Sequence, residues 1–188
     1  MAHKHLITLD VVPSEMSLRP DLTVAAIVER DGQFLFVEER VGNAMVFNQP
    51  AGHVERGEEL ITAVIRETLE ETAWTFRPDG LVGIYLWEQP ERHRSFLRFA
   101  FSGQVTSHDA ARRLDRGIER AVWMNRSQLV TRSSRLRSPM VLRCVDDYLK
   151  GRRFPLEIVQ AITRDVVPVA NRRDILRPEA NLPLTRLP

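Results

Sequence analysis

Between Gly52 and Trp74 the chain reads GHVERGEELITAVIRETLEETAW, and no other stretch limits its folding as tightly. Gly52, Glu58, Arg66, Glu67, Glu70 and Glu71 stand there in the pattern G-x5-E-x7-R-E-x-x-E-E. On a helix of about 3.6 residues per turn, Glu67, Glu70 and Glu71 share one face, and Arg66 points to the side of that row. Like charges at i and i+4 each cost roughly 0.2–0.5 kcal/mol on an exposed helix, and more when partly buried. A hard divalent cation relieves such a face, because Mg²⁺ takes carboxylate oxygens, backbone carbonyls, water and phosphate oxygens. The competing reading is a solvated acidic face on an ordinary surface helix.

The segments around this stretch read as a sheet with helices packed on it. LTVAAIVE (Leu22–Glu29) is apolar and partly β-branched, a buried strand. Asp31-Gly32 then supplies a tight turn, and FLFVE (Phe34–Glu38) returns as the second arm of a hairpin. Met45–Asn48 is a short strand, and Asn48-Gln49-Pro50-Ala51-Gly52 leads into the acidic pattern. Glu58 and Glu59 are expected to start the helix, where acids meet the positive end of the dipole. Ile61, Val64, Ile65 and Leu69 form the apolar stripe predicted to dock on the sheet. Leu81–Trp87 and Phe96–Phe101 are two further strands joined by a polar loop, Glu88–Ser95, and Arg120–Asn125 is the last strand. Ser127 is expected to cap a short turn, and Ser138 to cap a helix opened by Pro139 and stopped at Gly151.

Strands alternating with helices predict a mixed α/β domain over residues 21–160. Residues 1–20 read as an arm in which His3 and His5 alternate like a weak metal clamp. Residues 161–188 read as a Pro- and Arg-rich tail. A net charge of +2 argues for neither a nucleic-acid nor a membrane partner. The only cysteine, Cys144, excludes an intrachain disulfide, and the N-terminus has no signal-peptide core; both point to the cytoplasm.

The acidic pattern resembles the box of the Nudix hydrolases, G-x5-E-x7-R-E-U-x-E-E-x-G-U, where U is bulky and apolar. A chance match of all the Gly and charged anchors before the final Gly is on the order of one in a hundred thousand at average residue frequencies. That displaces the solvated-face reading. Thr68 stands where an apolar residue is usual and Ala73 where Gly is usual, and neither departure removes a metal-facing group.

The resemblance implies a helix–mixed β-sheet–helix sandwich. It also implies an Mg²⁺-dependent (Mn²⁺ as the alternative) hydrolase in which water attacks a phosphorus of an organic di- or triphosphate. By matching position, Glu67, Glu70 and Glu71 would bind the metal with the backbone carbonyl of Ala51, and Gly52 would let the chain come close. Glu67 is also the candidate base. Arg66 would fix the glutamates, and Glu58 would support the loop or a further metal. Some members complete the site with a later acid; Glu119 is the candidate here, against a plain surface acid.

FLFVEE, FNQPAGH, FLRFAF, LRSPMV and GRRFPLEIV, within residues 34–159, look like the NudJ-type phosphatases of the same family. That subgroup removes orthophosphate from nucleoside tri- and diphosphates and from hydroxymethylpyrimidine and thiamine pyrophosphates. Arg98, Arg137 and Ser138 are then candidates for the outer phosphate, and Asn48 or Gln49 for orientation. Each has a structural alternative. Arg98 could make a core-edge salt bridge, Asn48 and Gln49 could satisfy turn backbone, and Arg137 with Arg135 could be a solvated edge. Two functional rivals stand beside this reading: an ADP-ribose or dinucleotide pyrophosphatase, and a nucleotide-sensing module without catalysis. A monomer or a homodimer fits equally.

Overall fold

The computed structural model describes residues 18–160. The His3/His5 pair, most of the N-terminal arm and the Pro/Arg-rich tail lie outside the described residues.

Seven strands form one mixed sheet. They are β1 (Asp21–Arg30), β2 (Gln33–Val41), β3 (Ala44–Asn48), β4 (Ala51–His53), β5 (Trp74–Gln89), β6 (Arg94–His108) and β7 (Ile118–Met124). The main path runs β3-β2-β1-β6-β5; β4 also pairs with β1, and β7 with β2. Helices α1 (Leu60–Thr72), α2 (Arg126–Thr131) and α3 (Pro139–Leu149) complete the fold. β1 and β6 run parallel, with Thr23 opposite Arg98 and Val24 opposite Phe99, whereas β4 meets β1 antiparallel with Gly52 opposite Val24.

The near-continuous apolar run of β1 follows from burial on both faces. Val24, Ala26 and Val28 point into a core shared with Leu35, Phe101 and, from α1, Ala63 and Val64. Ile27 points the other way, joining Phe34, Phe36 and Phe47 under Val141, Cys144 and Val145 of α3. Alternation with a period of two therefore feeds two cores, one under α1 and one under α3. This is the helix–sheet–helix sandwich. The Asp31-Gly32 hairpin turn forms as expected, with φ of 52° and 76°.

Several local expectations are corrected. The long helix opens at Leu60 with Glu59 as an extended N-cap and no acid in its first turn, so Glu58 and Glu59 do not meet the helix dipole from within. Its most buried face is Ala63, Val64, Glu67, Thr68, Glu71 and Thr72; Ile61 and Ile65 pack only at its edge, and Leu69 is no more than partly buried. Thr68 and Thr72 fit because their hydroxyls donate to the carbonyls of Val64 and Thr68 one turn back. Ala73 ends the helix in the left-handed region at φ 58°.

Asn125, not Ser127, caps α2: its side chain accepts from Gln128 N–H, and the Gln128 side chain answers on Asn125 N–H. Ser138 occupies the N-cap position of α3, but its hydroxyl makes no bond to the helix. The expected polar loop at Glu88–Ser95 shrinks to one turn, Pro90–Arg92, because β5 and β6 pair out to Gln89 and Arg94.

Candidate active site

Packing of α1 across β4 builds the acidic half of the site. Glu71 is buried and its Oε2 accepts from Ala51 N–H at 2.8 Å. A Cβ placed on Gly52 would overlap the Glu67 carboxylate, so only glycine allows this approach of strand to helix. Arg66 does not lie to the side of the glutamate row but folds over it. Its Nε and Nη2 donate to the two oxygens of Glu58 at 2.8 and 2.9 Å, and its Nη1 to Glu67 and Glu70 at 2.8 and 2.9 Å. Nη2 also reaches the carbonyl of His53 at 3.1 Å. Glu58 meanwhile accepts from Glu55 N–H at 3.0 Å, which ties the loop before the helix to the same hub.

Electrostatics separates these carboxylates. Hydrogen bonding from Arg66 holds Glu58 below its ordinary pKa. Burial pushes Glu67 up despite Arg66, and pushes Glu71 well above the usual carboxylate range, with repulsion from Glu67, Glu39 and Asp115 added. Two acids forced together in a poorly solvated place create a demand for positive charge.

A cleft of about 370 Å³ opens beside them, lined by Glu39, Glu67, Glu71, Ala51 and Gly52 on one side and by Asn48, Arg98, Arg137 and Ser138 on the other. Glu39 went unrecognised in the sequence. The β2–β7 register shifts there, Glu38 facing Arg120 and Glu39 facing Ile118, so the extra residue, Glu119, lies on β7. Strand β2 keeps its regular pairing with β3 and sends its two consecutive acids to opposite faces. Glu38 is absorbed by Arg120 and Arg135, at 2.8 and 2.6 Å. Glu39 faces the cleft with its pKa raised by burial. The doublet at the end of an apolar strand was the available signal.

Arg98 is 5% exposed. Its Nη1 makes only long contacts, 3.3 Å to Gln49 Oε1 and 3.5 Å to Asn48 Oδ1, and its Nε has no partner among the described residues. Burial depresses its basicity. The core-edge salt bridge is not what forms. Ser138 Oγ is a second buried group without a partner among the described residues, and Arg137 Nε stands 3.5 Å from Glu39 Oε1. Arg135 is engaged elsewhere, over the Phe47 ring and on Glu38.

The structure divides the remaining candidates. Gln49 is 1% exposed and sits behind Arg98, its amide donating to Val141 O at 2.7 Å, so it braces the cleft rather than lining it. Glu70 pairs with Arg66 but does not line the cleft. Glu119 is exposed on β7 and outside the cleft; the later acid that acts on Glu67 and Glu71 is Asp115, whose N–H also donates to Glu70 O at 3.0 Å.

The donor set suits a hard cation: the Glu71 carboxylate, which has no cationic partner among the described residues, the Glu67 carboxylate, only one oxygen of which is paired with Arg66, Glu39 nearby, and the adjoining Ala51 backbone. Among the described residues no three such side chains already converge as a closed cage. Water and substrate oxygens would complete the shell, as Mg²⁺ prefers.

A seven-stranded mixed sheet between helices, carrying this box on α1, defines a phosphoanhydride hydrolase of known type. The NUDIX domain model matches residues 19–143, and the chain belongs to the Nudix hydrolase family. It is 35% identical over 141 residues to "Phosphatase NudJ" of Escherichia coli strain K12 and of Shigella boydii, covering 75% of this chain and 91% of each relative. A solved Nudix hydrolase from Nitrosomonas europaea is 46% identical and superposes with a TM-score of 0.75, over 77% of this chain and 98% of that one. A MutT protein from Methanosarcina mazei, at 20% identity and a TM-score of 0.59 over 74% of this chain and all of that one, shares the fold. The protein is accordingly a hydrolase acting on phosphoric anhydride bonds. Among the described residues no helix is long and apolar enough to cross a membrane.

Proposed function

We propose that this enzyme uses Mg²⁺ to hydrolyse the terminal anhydride of nucleoside tri- and diphosphates and of pyrimidine and thiamine pyrophosphates, releasing orthophosphate. The observation that carries the reading is the pairing of two unmet demands in one cleft. On one wall the buried Glu71 carboxylate has no cationic side chain to pair with among the described residues, and on the other the buried Arg98 guanidinium has no anionic one. A metal-bound diphosphate meets both.

Glu67 and Glu71 on the cleft wall, with the Ala51 carbonyl, are the residues we assign to the cation, and Glu70, outside the cleft and paired with Arg66, joins them when that pair opens; Mn²⁺ would suit the same donors. When bound, the ion supplies charge neutralisation at the anhydride oxygens and a water of lowered pKa. Glu67 is our candidate for the base that takes the proton of the attacking water, because burial raises its proton affinity. Arg66 positions Glu67 and Glu70 and, through Glu58, the loop before the helix. Arg98, Arg137 and Ser138 hold the outer phosphate, and Asn48 and Gln49 orient the Arg98 guanidinium. The relatives named Phosphatase NudJ support release of orthophosphate over cleavage between two nucleoside halves. A cytoplasmic location belongs to the same reading, supported by the single, buried, free cysteine.

Product analysis with Mg²⁺ on a nucleoside triphosphate, thiamine pyrophosphate, a pyrimidine pyrophosphate and ADP-ribose tests this. Orthophosphate from the first three is expected. AMP and ribose phosphate from ADP-ribose alone would replace the reading with a dinucleotide-type pyrophosphatase, and nucleotide binding without turnover would leave a sensor.

A further inference from the structure

A second hollow of about 420 Å³ adjoins the cleft, bounded by Trp87, Gln89, Ser133, Leu136, Pro139 and Leu142. Three residues, Trp87, Arg137 and Ser138, line both spaces, so the two lie side by side. Their linings differ in kind. The cleft is walled by carboxylates and guanidinium groups, whereas the hollow carries a large aromatic ring, two leucines and a proline, and among the described residues Gln89, Ser133 and Ser138 are its uncharged polar side chains.

Trp87 is held in place rather than loose. It is the cross-strand partner of Phe96, and the two rings stack at 5.5 Å with 24° between their planes. Phe96 is in turn covered by the Arg94 guanidinium at 4.8 Å, itself fixed by Asp21. Along β6, Phe96 and Arg98 are two residues apart and face the same side, a spacing of about 7 Å. The fixed aromatic pair thus stands one step along the sheet from the unpaired guanidinium.

We propose that this hollow is the subsite for the non-phosphate half of the substrate, and that it takes a flat heteroaromatic ring which rests on Trp87 and carries its phosphates on a short arm into the cleft. Aromatic side chains take any base through its π-face, and Gln89 and Ser133 offer hydrogen bonds to ring edges. A ring joined to its diphosphate through a few atoms spans the step between Trp87 and Arg98; a second nucleoside beyond the phosphates would have to fit on the acidic side, against Glu39 and Glu67. The inference rests on the proposed anhydride reaction for its orientation.

Its test compares Trp87→Ala and Trp87→Phe with the unaltered full chain. Steady-state kinetics would be measured on a ring-bearing diphosphate and on inorganic tripolyphosphate, which has no ring. Calorimetric titration with the corresponding ring-bearing monophosphate gives a readout independent of turnover. Trp87→Ala is expected to raise KM for the ring-bearing substrate and to weaken the monophosphate by about tenfold or more, the loss of one base–aromatic stack. Neither kcat nor the tripolyphosphate KM should move, and Trp87→Phe should recover most of the loss. Equal losses on both substrates would make Trp87 a structural residue and overturn the subsite, as would unchanged binding of the monophosphate. Should the unaltered enzyme release no orthophosphate from any ring-bearing anhydride, the proposed reaction fails, and the titration still decides whether the hollow binds a ring.

Discussion

Arg66 lies behind the acidic wall of the cleft and Arg98 lines the wall opposite, and the same group is treated in opposite ways at the two places. Arg66 is met by five oxygens from Glu58, Glu67, Glu70 and His53, and Glu58 above all strengthens its hold on its proton. Arg98 is buried more deeply, has two long amide contacts and an unpartnered Nε, and is made less basic by its surroundings. A saturated guanidinium is architecture. A starved one, kept in the chain at the expense of desolvation, is positioned for something the protein does not itself provide. The acids on the Arg66 side divide along the same line: Glu58 is satisfied, whereas Glu71 and Glu39 are not.

That contrast can be broken most directly at Glu71. Glu71→Gln should fold, keep its Ala51 contact and lose metal-dependent turnover by roughly 100-fold or more, the scale of losing a group that binds the reacting assembly. Its thermal midpoint should hold or rise, because a repelling charge is gone; undiminished activity would sink the metal assignment. Next comes Arg66→Ala, expected to lower unfolding free energy by about 2 kcal/mol, less than a fully buried pair would lose because 24% of the side chain is exposed. Denaturant titration reads this, and a variant as stable as the parent would remove Arg66 from the architecture.

Arg98→Met should do the reverse, raising KM for a diphosphate about tenfold, the value of one hydrogen bond to a charged group, while leaving the melting temperature near the parent's. A large stability loss with unchanged KM would return Arg98 to the core.

Protonation sharpens the comparison without mutation. The folded pKa values of Glu39, Glu67 and Glu71 lie above the unfolded value of 4.5. Between 4.5 and those raised values the folded chain binds more protons than the unfolded chain, so stability declines as pH climbs through that window. Glu38, Glu58 and Asp147, all lowered, act in the opposite sense but only below their ordinary values. Metal-free protein should therefore melt at lower temperature as pH rises from about 5 toward neutrality, with a shallower slope in Glu71→Gln. Added Mg²⁺ should stabilise most at the upper end of the range. The smallest change expected is at Ala73: replacing its left-handed Cβ by glycine should gain about 1 kcal/mol in denaturant titration without touching kcat.

Much of this was legible because helix periodicity and box spacing are short-range. The mixed α/β class, the box helix and the hairpin at Asp31-Gly32 follow from neighbours in the chain, and the sandwich follows from the family resemblance that the box carries. What sequence could not supply was set by tertiary contact. Glu39 reaches the cleft beside Arg137, the loop after β6 returns to α1 so that Asp115 N–H donates to Glu70 O, and Gln49 is turned behind Arg98 by Val141. The apolar stripe of α1 was misplaced because two threonines that bond back to their own helix were counted as polar.

Cys144 has a practical use that its chemistry makes simple. The thiol is fully buried in α3 beneath the sheet, and burial pushes its pKa to about 11. Only thiolate reacts with alkylating reagents, so the native protein should resist iodoacetamide until α3 lifts from the sheet. With no second cysteine to confuse the signal, the labelling rate becomes a clock for local opening of the wall that carries Arg137 and Ser138. Slower labelling when phosphate compounds are present would report their grip on that helix without following any reaction at all.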